Sequence, residues 1–368
     1  MALNSITFLF WFLPVFLIAY YICKLRYRQA LLLLASLFVY SWGNALSLLF
    51  LIGFIILNYI MGLAVAGRRN ILPLAVALDV AFLCMFKFGC VWVDSGAILG
   101  LPLGISFYTL SGISYLVDVS RGKAKPSRNI VKLALYIAML PKVTMGPVVQ
   151  YADIDDQLDW PTVNPDMISG GMFRFAIGFA KKMIIAGQLG EMQKYCWADA
   201  PQSAASAWLG IIAFSLQLYY DFSGYSDMAL GLAQMLGFEF KENFVYPYAS
   251  SSLADFWRRW HASLGAWFRE YVYIPLGGNR NNMYLNMFVV WLLTGLWHGR
   301  GLNFIAWGMF LFIFSALERG IKSFAASKRA AGSKCGLLDP DYAGLWRVWG
   351  IIYTDVIVVA GWVFFNSA

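Results

Sequence analysis

The sequence predicts an all-α, polytopic membrane protein, with about ten transmembrane and re-entrant helices around a central funnel or tunnel. Three observations predict it. The chain is 60% hydrophobic and only 13% charged over 368 residues, whereas a soluble globular chain carries about 25% charged residues. Its apolar residues gather in runs near the roughly 20 residues that cross a bilayer. Its basic residues stand in short clusters between those runs: Lys24, Arg26 and Arg28; Arg68 and Arg69; Arg121, Lys123, Lys125 and Arg128; Lys181 and Lys182; Lys328 and Arg329. That is the pattern of cytoplasmic loops under the positive-inside rule. It accounts for a net charge of +8 without invoking nucleic acid.

The elements follow in order. Residues 6–22 are apolar, no basic region precedes them, Pro14 interrupts them and Lys24 to Arg28 follow. The run therefore reads as a first span entering from outside rather than a cleavable signal peptide. Runs at 30–42, 46–66, 71–86, 101–117 and 130–149 then alternate sides. This puts Arg68, Arg69 and the loop at 121–128 inside, and the acidic "DIDDQLD" at 153–159 outside. Beyond that point the pattern is irregular: 172–188 contains Lys181 and Lys182, 204–220 is a clear run, and 283–297, 302–317 and 344–365 complete the chain. The shorter runs suit re-entrant or interfacial segments, tolerated where protein surrounds the backbone. With no repeat, long linker or soluble segment, a single domain over 1–368 is expected. Cys23, Cys84, Cys90, Cys196 and Cys335 form no CxxC pair and read as small buried hydrophobes.

Three constellations stand out. In "SSLADFWRRWHASLGAWFREYVYIPLGGNR", residues 251–280, a helical projection of 253–271 gathers Leu253, Phe256, Trp257, Trp260, Leu264, Trp267, Phe268 and Tyr271 within an arc of roughly 120°. Asp255, Arg258, Arg259, Arg269 and Glu270 lie on the other side. One amphipathic helix at the membrane interface is expected. His261 lies at the edge of the apolar arc, facing either a half-wet cavity or a neighbouring backbone carbonyl. In "GLWHGRG", residues 295–301, His298 lies near the junction of two helical arms, flanked by glycines that permit turns and close packing. An ionisable residue at membrane depth marks a functional site by default, and neutral imidazole can take a proton from a hydroxyl. The alternative is a helix-end histidine bonded to a carbonyl, and a helix C-terminus favours the charged ring. In "LQLYYDFSGYSDMALG", residues 216–231, Asp221 and Asp227 are six apart and share no helix face, so they are not an acid/base dyad. Asp221 and Tyr225 are four apart and can hydrogen-bond, and Arg258, Arg259 or Lys241 are available as partners. The plain reading is that both aspartates hold buried helices together. GxSxG, HExxH, Walker A and Rossmann patterns are absent, and two histidines exclude a multi-histidine metal site.

The stretches "LPLGISFYTLSGISYLVDVSRG", "LPKVTMGPVVQY", "LQLYYDFSGYSDMALGLAQMLGFEFKENFVYPY", "DFWRRWHASLGAWFREYVYIPLGGNR" and "LTGLWHG" resemble the membrane-bound O-acyltransferase family, in its bacterial polysaccharide O-acetylation branch. The resemblance covers nearly the whole chain. It implies an O-acyltransferase in the bacterial cytoplasmic membrane, multi-pass, with its N-terminus outside. The enzyme would move an acyl group, acetyl in this branch, from a cytoplasmic thioester to a hydroxyl on the outer side. The family's essential histidine matches His298 and its second motif histidine matches His261. No bound cofactor or metal is implied; the donor is acetyl-coenzyme A or an acyl-carrier thioester. The acceptor is a polysaccharide, or a secreted or membrane-anchored acetyltransferase-like partner protein. His298 would act as general base, with His261 orienting the donor or stabilising the oxyanion. Arg258 and Arg259 would meet donor phosphates or lipid headgroups. Asp221, Tyr225, Trp297 and Asn279 are further candidate contacts to substrate or donor. D-alanyl transfer from a carrier protein toward teichoic acid is the alternative within the same chemistry; a transporter or channel is the alternative outside it. The sequence departs from the family pattern at Arg300-Gly301-Leu302, where Ala-Asn-Trp is common, and at Lys142, where His or Gln is frequent. It stops at "GWVFFNSA", which implies a member without the family's C-terminal helices.

Overall fold

The computed structural model describes residues 1–89, 102–159, 161–197, 203–330 and 343–367; Cys90 and Cys335 lie outside the described residues. The described regular elements are all helical. They are α1 (Leu13–Ile22, preceded by a π-helical turn at Thr7–Phe12), α2 (Leu25–Ser41), α3 (Ala45–Gly67), α4 (Leu72–Lys87), α5 (Ile105–Arg121), α6 (Ile130–Ala138), α7 (Tyr151–Asp159), α8 (Pro165–Ala180), α9 (Gly187–Trp197), α10 (Ala204–Met235), α11 (Leu253–Arg259), α12 (Ala262–Phe268), α13 (Met283–His298), α14 (Leu302–Ala330) and α15 (Ala343–Asn366). Among the described residues four stretches are long and apolar enough to cross a membrane: Ala45–Gly67, Arg69–Lys87, Leu302–Lys328 and Arg347–Asn366. Large apolar side chains such as Trp11, Leu34, Ile60, Leu302 and Phe324 stand exposed. That surface suits lipid and would be a liability in water. The chain forms two compact units.

The first unit comprises Met1–Ile185 and Tyr220–Lys241. Its axis is α5, which is buried along most of its length against α3, α4, α6 and α7. Small residues allow that contact. A Cβ on Gly112 would meet the Phe54 ring, Asn58 and Asp79 within 2.9 Å. The Asp79 carboxyl, buried beside it, accepts from Asn58 Nδ2 at 2.9 Å. The first two N–H groups of α7 are satisfied by α5 side chains: Tyr151 donates to Ser114 Oγ at 2.9 Å and Ala152 to Asp118 Oδ2 at 3.0 Å. A carboxylate at a helix N-terminus also meets the positive end of its dipole. Asn44, Asn129 and Asn164 cap α3, α6 and α8 with their side-chain oxygens.

Two expectations need correction here. The acidic segment at 153–159 does not lie opposite the basic loop at 121–128: Lys132, in the first turn of α6, pairs with Asp155 at 2.7 Å and Asp159 at 2.6 Å, and Gln29, beside the Lys24 to Arg28 cluster, donates to Leu158 O, so the acidic segment shares their side. The apolar run at 130–149 is helical only to Ala138. Pro141 and Pro147 lack the donors a helix needs, and Gly146 adopts φ 114°. Residues 139–150 instead run as irregular backbone, mostly buried. Its polar groups find partners within the unit: Leu140 N donates to Ser36 Oγ, and Val149 O accepts from Tyr136 Oη. Such backbone is tolerated at membrane depth because protein encloses it.

The second unit comprises Ala186–Tyr219 and Glu242–Ala368. Its core joins Ile211 and Phe214 of α10, Leu253 and Phe256 of α11, Trp307 and Leu311 of α14, and Val358 and Trp362 of α15. The α13 and α14 helices form an antiparallel hairpin at backbone contact. A Cβ on Gly295 would lie 2.5 Å from Phe304 O, and one on Gly308 would lie 2.6 Å from Trp291 O. Only glycine permits that approach.

Candidate active site

The expected single helix over 253–271 is broken. The α11 helix ends at Arg259, His261 takes φ 45° and ψ 48°, and α12 starts at Ala262. A left-handed conformation is unfavourable for a residue with a Cβ and persists only where neighbours enforce it. The enforcing segment is 243–245. Val245 N donates to Arg259 O at 3.0 Å, and Ala262 N donates to Asn243 O at 2.9 Å. The Asn243 side chain finishes the clamp. Its Oδ1 accepts from Ser263 N at 3.3 Å and Ser263 Oγ at 2.7 Å, and lies 3.0 Å from His261 Nδ1. The backbone donor of Ser263 identifies that amide atom as oxygen, so His261 Nδ1 carries the proton and donates. His261 lies between two short helices, outside the spanning segments, and is 5% exposed. Burial pushes its pKa down to about 3, and the nearby His298 pushes the same way. The ring is therefore neutral, with the lone pair on Nε2.

His298 is the last residue of α13, and Gly299 closes the helix by donating to Gly295 O at 3.3 Å. Its ring is half-buried among Trp297, Trp307 and Phe365, with centroids 5.0, 5.1 and 5.1 Å away. Trp297 also faces His261, at 6.4 Å.

Both imidazoles line one cavity of about 270 Å³ within the second unit. Trp257, Trp260, Trp291 and Trp307 supply much of its wall. Met287, Val290, Trp291, Thr294 and His298 form one face of α13 at three- and four-residue spacing. His261, Leu264, Gly265 and Phe268 form the α12 side, which continues to Arg269 and Tyr273. The chains run so that the two histidines share one end, while Arg269, Tyr273 and Met287 share the other, about 16 Å away along α13. A neutral base in an apolar slot can accept a proton from a bound hydroxyl.

The remaining sequence-predicted residues fall elsewhere. Arg258 and Arg259 do not line the cavity; both pair with Asp255, at 3.3 and 3.0 Å. Asn279 lies one contact from the cavity, its Oδ1 accepting from Tyr273 Oη at 2.7 Å and Arg319 Nη2 at 3.0 Å. Asp221 and Tyr225 belong to the first unit and do not bond each other: Lys182 donates to Asp221, and Tyr225 Oη lies 2.9 Å from Thr144 Oγ1. Asp227 pairs with Arg174 at 3.0 Å and Lys181 at 2.7 Å. Sequence reasoning missed Asn243, eighteen positions from the histidine it orients, and nothing local signals it. Arg269, which the projection sets opposite the apolar arc, is exposed as that placement requires and also lines the cavity, a position the sequence did not signal.

Comparison with known proteins adds four findings. Residues 78–333 match the model of the membrane-bound O-acyltransferase family. The chain is 41% identical, over its whole length and 72% of the relative, to a Pseudomonas aeruginosa protein named "Probable alginate O-acetylase AlgI". It is 34% identical to a Helicobacter pylori peptidoglycan O-acetyltransferase over 83% of this chain and 68% of that one. It is 29% identical to a Bacillus subtilis teichoic acid D-alanyltransferase over 56% of each.

Proposed function

From the premise that this chain belongs to the membrane-bound O-acyltransferase family, we propose that it transfers an acetyl group from acetyl-coenzyme A to a hydroxyl of an extracytoplasmic polysaccharide. The observation that carries this reading is the pairing of both histidines of the chain at one end of a single tryptophan-walled cavity. In it, His298 takes the proton of the acceptor hydroxyl as that oxygen attacks the thioester carbonyl, and the thiolate of the donor leaves. His261 orients the reacting groups through its Nε2 lone pair. Its Nδ1–H tautomer leaves Nε2 an acceptor, which suits this role and does not suit an oxyanion donor.

The relatives support the polysaccharide class: the more similar ones are named for alginate and peptidoglycan O-acetylation, and the D-alanyltransferase is more distant. A secreted or membrane-anchored acetyltransferase-like protein acts as partner, either receiving the acetyl group or passing it on. The enzyme sits in the bacterial cytoplasmic membrane with its N-terminus outside and the Lys24 to Arg28 cluster inside. The test is His298→Ala, which should lower acetyl transfer by at least about 10²-fold while detergent-extracted protein keeps its wild-type melting temperature. Wild-type turnover in that variant rejects the assignment. Supplying acetyl-coenzyme A and a D-alanyl-charged carrier separately distinguishes the donors.

A further inference from the structure

The end of the cavity away from the histidines carries a cation that the transfer step leaves unused. Arg269 lines that end and has neither an ion pair nor a side-chain hydrogen bond among the described residues. Most of the neighbouring cations are committed, and Arg280 stands outside the cavity lining. Arg258 and Arg259 are held by Asp255, Arg319 donates to Asn279, and Lys322 pairs with Glu318 at 2.6 Å. An unpaired guanidinium beside an apolar slot is a ready receptor for phosphate, which it can meet with two parallel hydrogen bonds. Spacing agrees. Eight residues, about 12 Å of helix rise, separate Arg269 from His261, so a flexible arm anchored at the arginine can lay its thioester beside the imidazoles. The walls between are apolar, as the uncharged middle of such an arm requires. The basic residues Arg269, Arg280, Arg319, Lys322 and Lys328 follow one another at this end of the unit, which the positive-inside rule assigns to the side where thioesters are made.

We infer that Arg269 binds the phosphate of a phosphopantetheine-type donor, and so sets both the depth to which the thioester enters and the preference for donors that carry phosphate. The inference rests on the thioester-donor reading above. Lipid headgroups offer the same anion, so the experiment separates the sources. Binding of coenzyme A and of pantetheine is measured on the purified full-length protein in nanodiscs, with and without anionic lipid, for wild type, Arg269→Gln, His298→Ala and the remote charge-loss control Lys194→Gln. Wild type should bind coenzyme A at least about tenfold more tightly than pantetheine. Arg269→Gln should abolish that difference without weakening pantetheine, and His298→Ala and Lys194→Gln should preserve it. Equal affinity of wild type for the two ligands, an Arg269→Gln effect shared by both, no coenzyme A binding at all, or an effect seen only with anionic lipid overturns the inference. Coenzyme A binding that depends on Arg269 without acetyl transfer by wild type would overturn the proposed function and leave the arginine assignment standing.

Discussion

His261 carries two separable demands, a backbone one and a chemical one. Its φ of 45° is a conformation that glycine adopts freely. Its ring is buried and neutral, with a pKa near 3 against about 6.5 in the unfolded chain. The folded value lies below the unfolded one, so unfolding takes up a proton between those limits. Stability is therefore complete above pH 6.5 and falls with acidification toward pH 3, by up to about 1.4 kcal/mol per pH unit. Melting curves of the detergent-extracted protein should show that slope in wild type and its loss in both His261→Gly and His261→Ala. Glycine should also melt higher than alanine, by roughly 1 kcal/mol of stability, because it relieves the left-handed strain. Equal melting of the two variants would mean the backbone there is unstrained. Scarcity and glycine and tryptophan surroundings single out both histidines in the sequence, and the structure places both on one cavity. The clamp on His261 was not legible, because Asn243 reaches it through folding rather than through any local repeat.

At the level of elements, the burial pattern was more legible than helix continuity. Leu253, Phe256, Trp260, Leu264, Trp267, Phe268 and Tyr271 are all buried, as the apolar arc requires. The break between α11 and α12 leaves no composition signal, since His261 is neither glycine nor proline. The end of α6 did leave one in Pro141, which the apolar character of 130–149 masks. The pairing of α8 with α10 was likewise only half legible. The aspartates do hold helices together, but their cations come from α8 and the adjoining π-helical turn Lys181–Ala186, not from Arg258, Arg259 or Lys241. Glycines make that contact possible: a Cβ on Gly171 or Gly178 would lie 2.6 or 2.5 Å from the Gly231 or Gly224 carbonyl oxygen. Gly178→Val should therefore lower the melting temperature, by an overpacking cost of about 1–3 kcal/mol. Gly187→Ala, with open space around its site, should be neutral or slightly stabilising. Comparable melting of the two variants would remove the close approach from the account.

For the whole molecule, composition and charge patterning reach furthest. The helical, membrane-embedded class follows from apolar runs and basic clusters, and the orientation proposed from them has a convenient reporter. Cys23 is free, partly exposed and next to Lys24. In a variant retaining Cys23 as its sole cysteine, a membrane-impermeant maleimide should label this position only after the cells are permeabilised. Labelling in intact cells would invert the N-terminus. The division into two compact units was not legible, because α10 is one uninterrupted helix whose residues 204–219 and 220–235 belong to different units. No linker marks that boundary.

Four of the fifteen tryptophans stand in the cavity wall, Trp362 stacks on Trp307 behind it, and Trp297 lies against both histidines. Indole emission depends on the polarity around the ring, so the slot is also a built-in optical gauge. Water leaving it, or a thioester entering it, changes the light the unlabelled protein emits. Occupancy can thus be followed in real time, with no chromophore on either substrate.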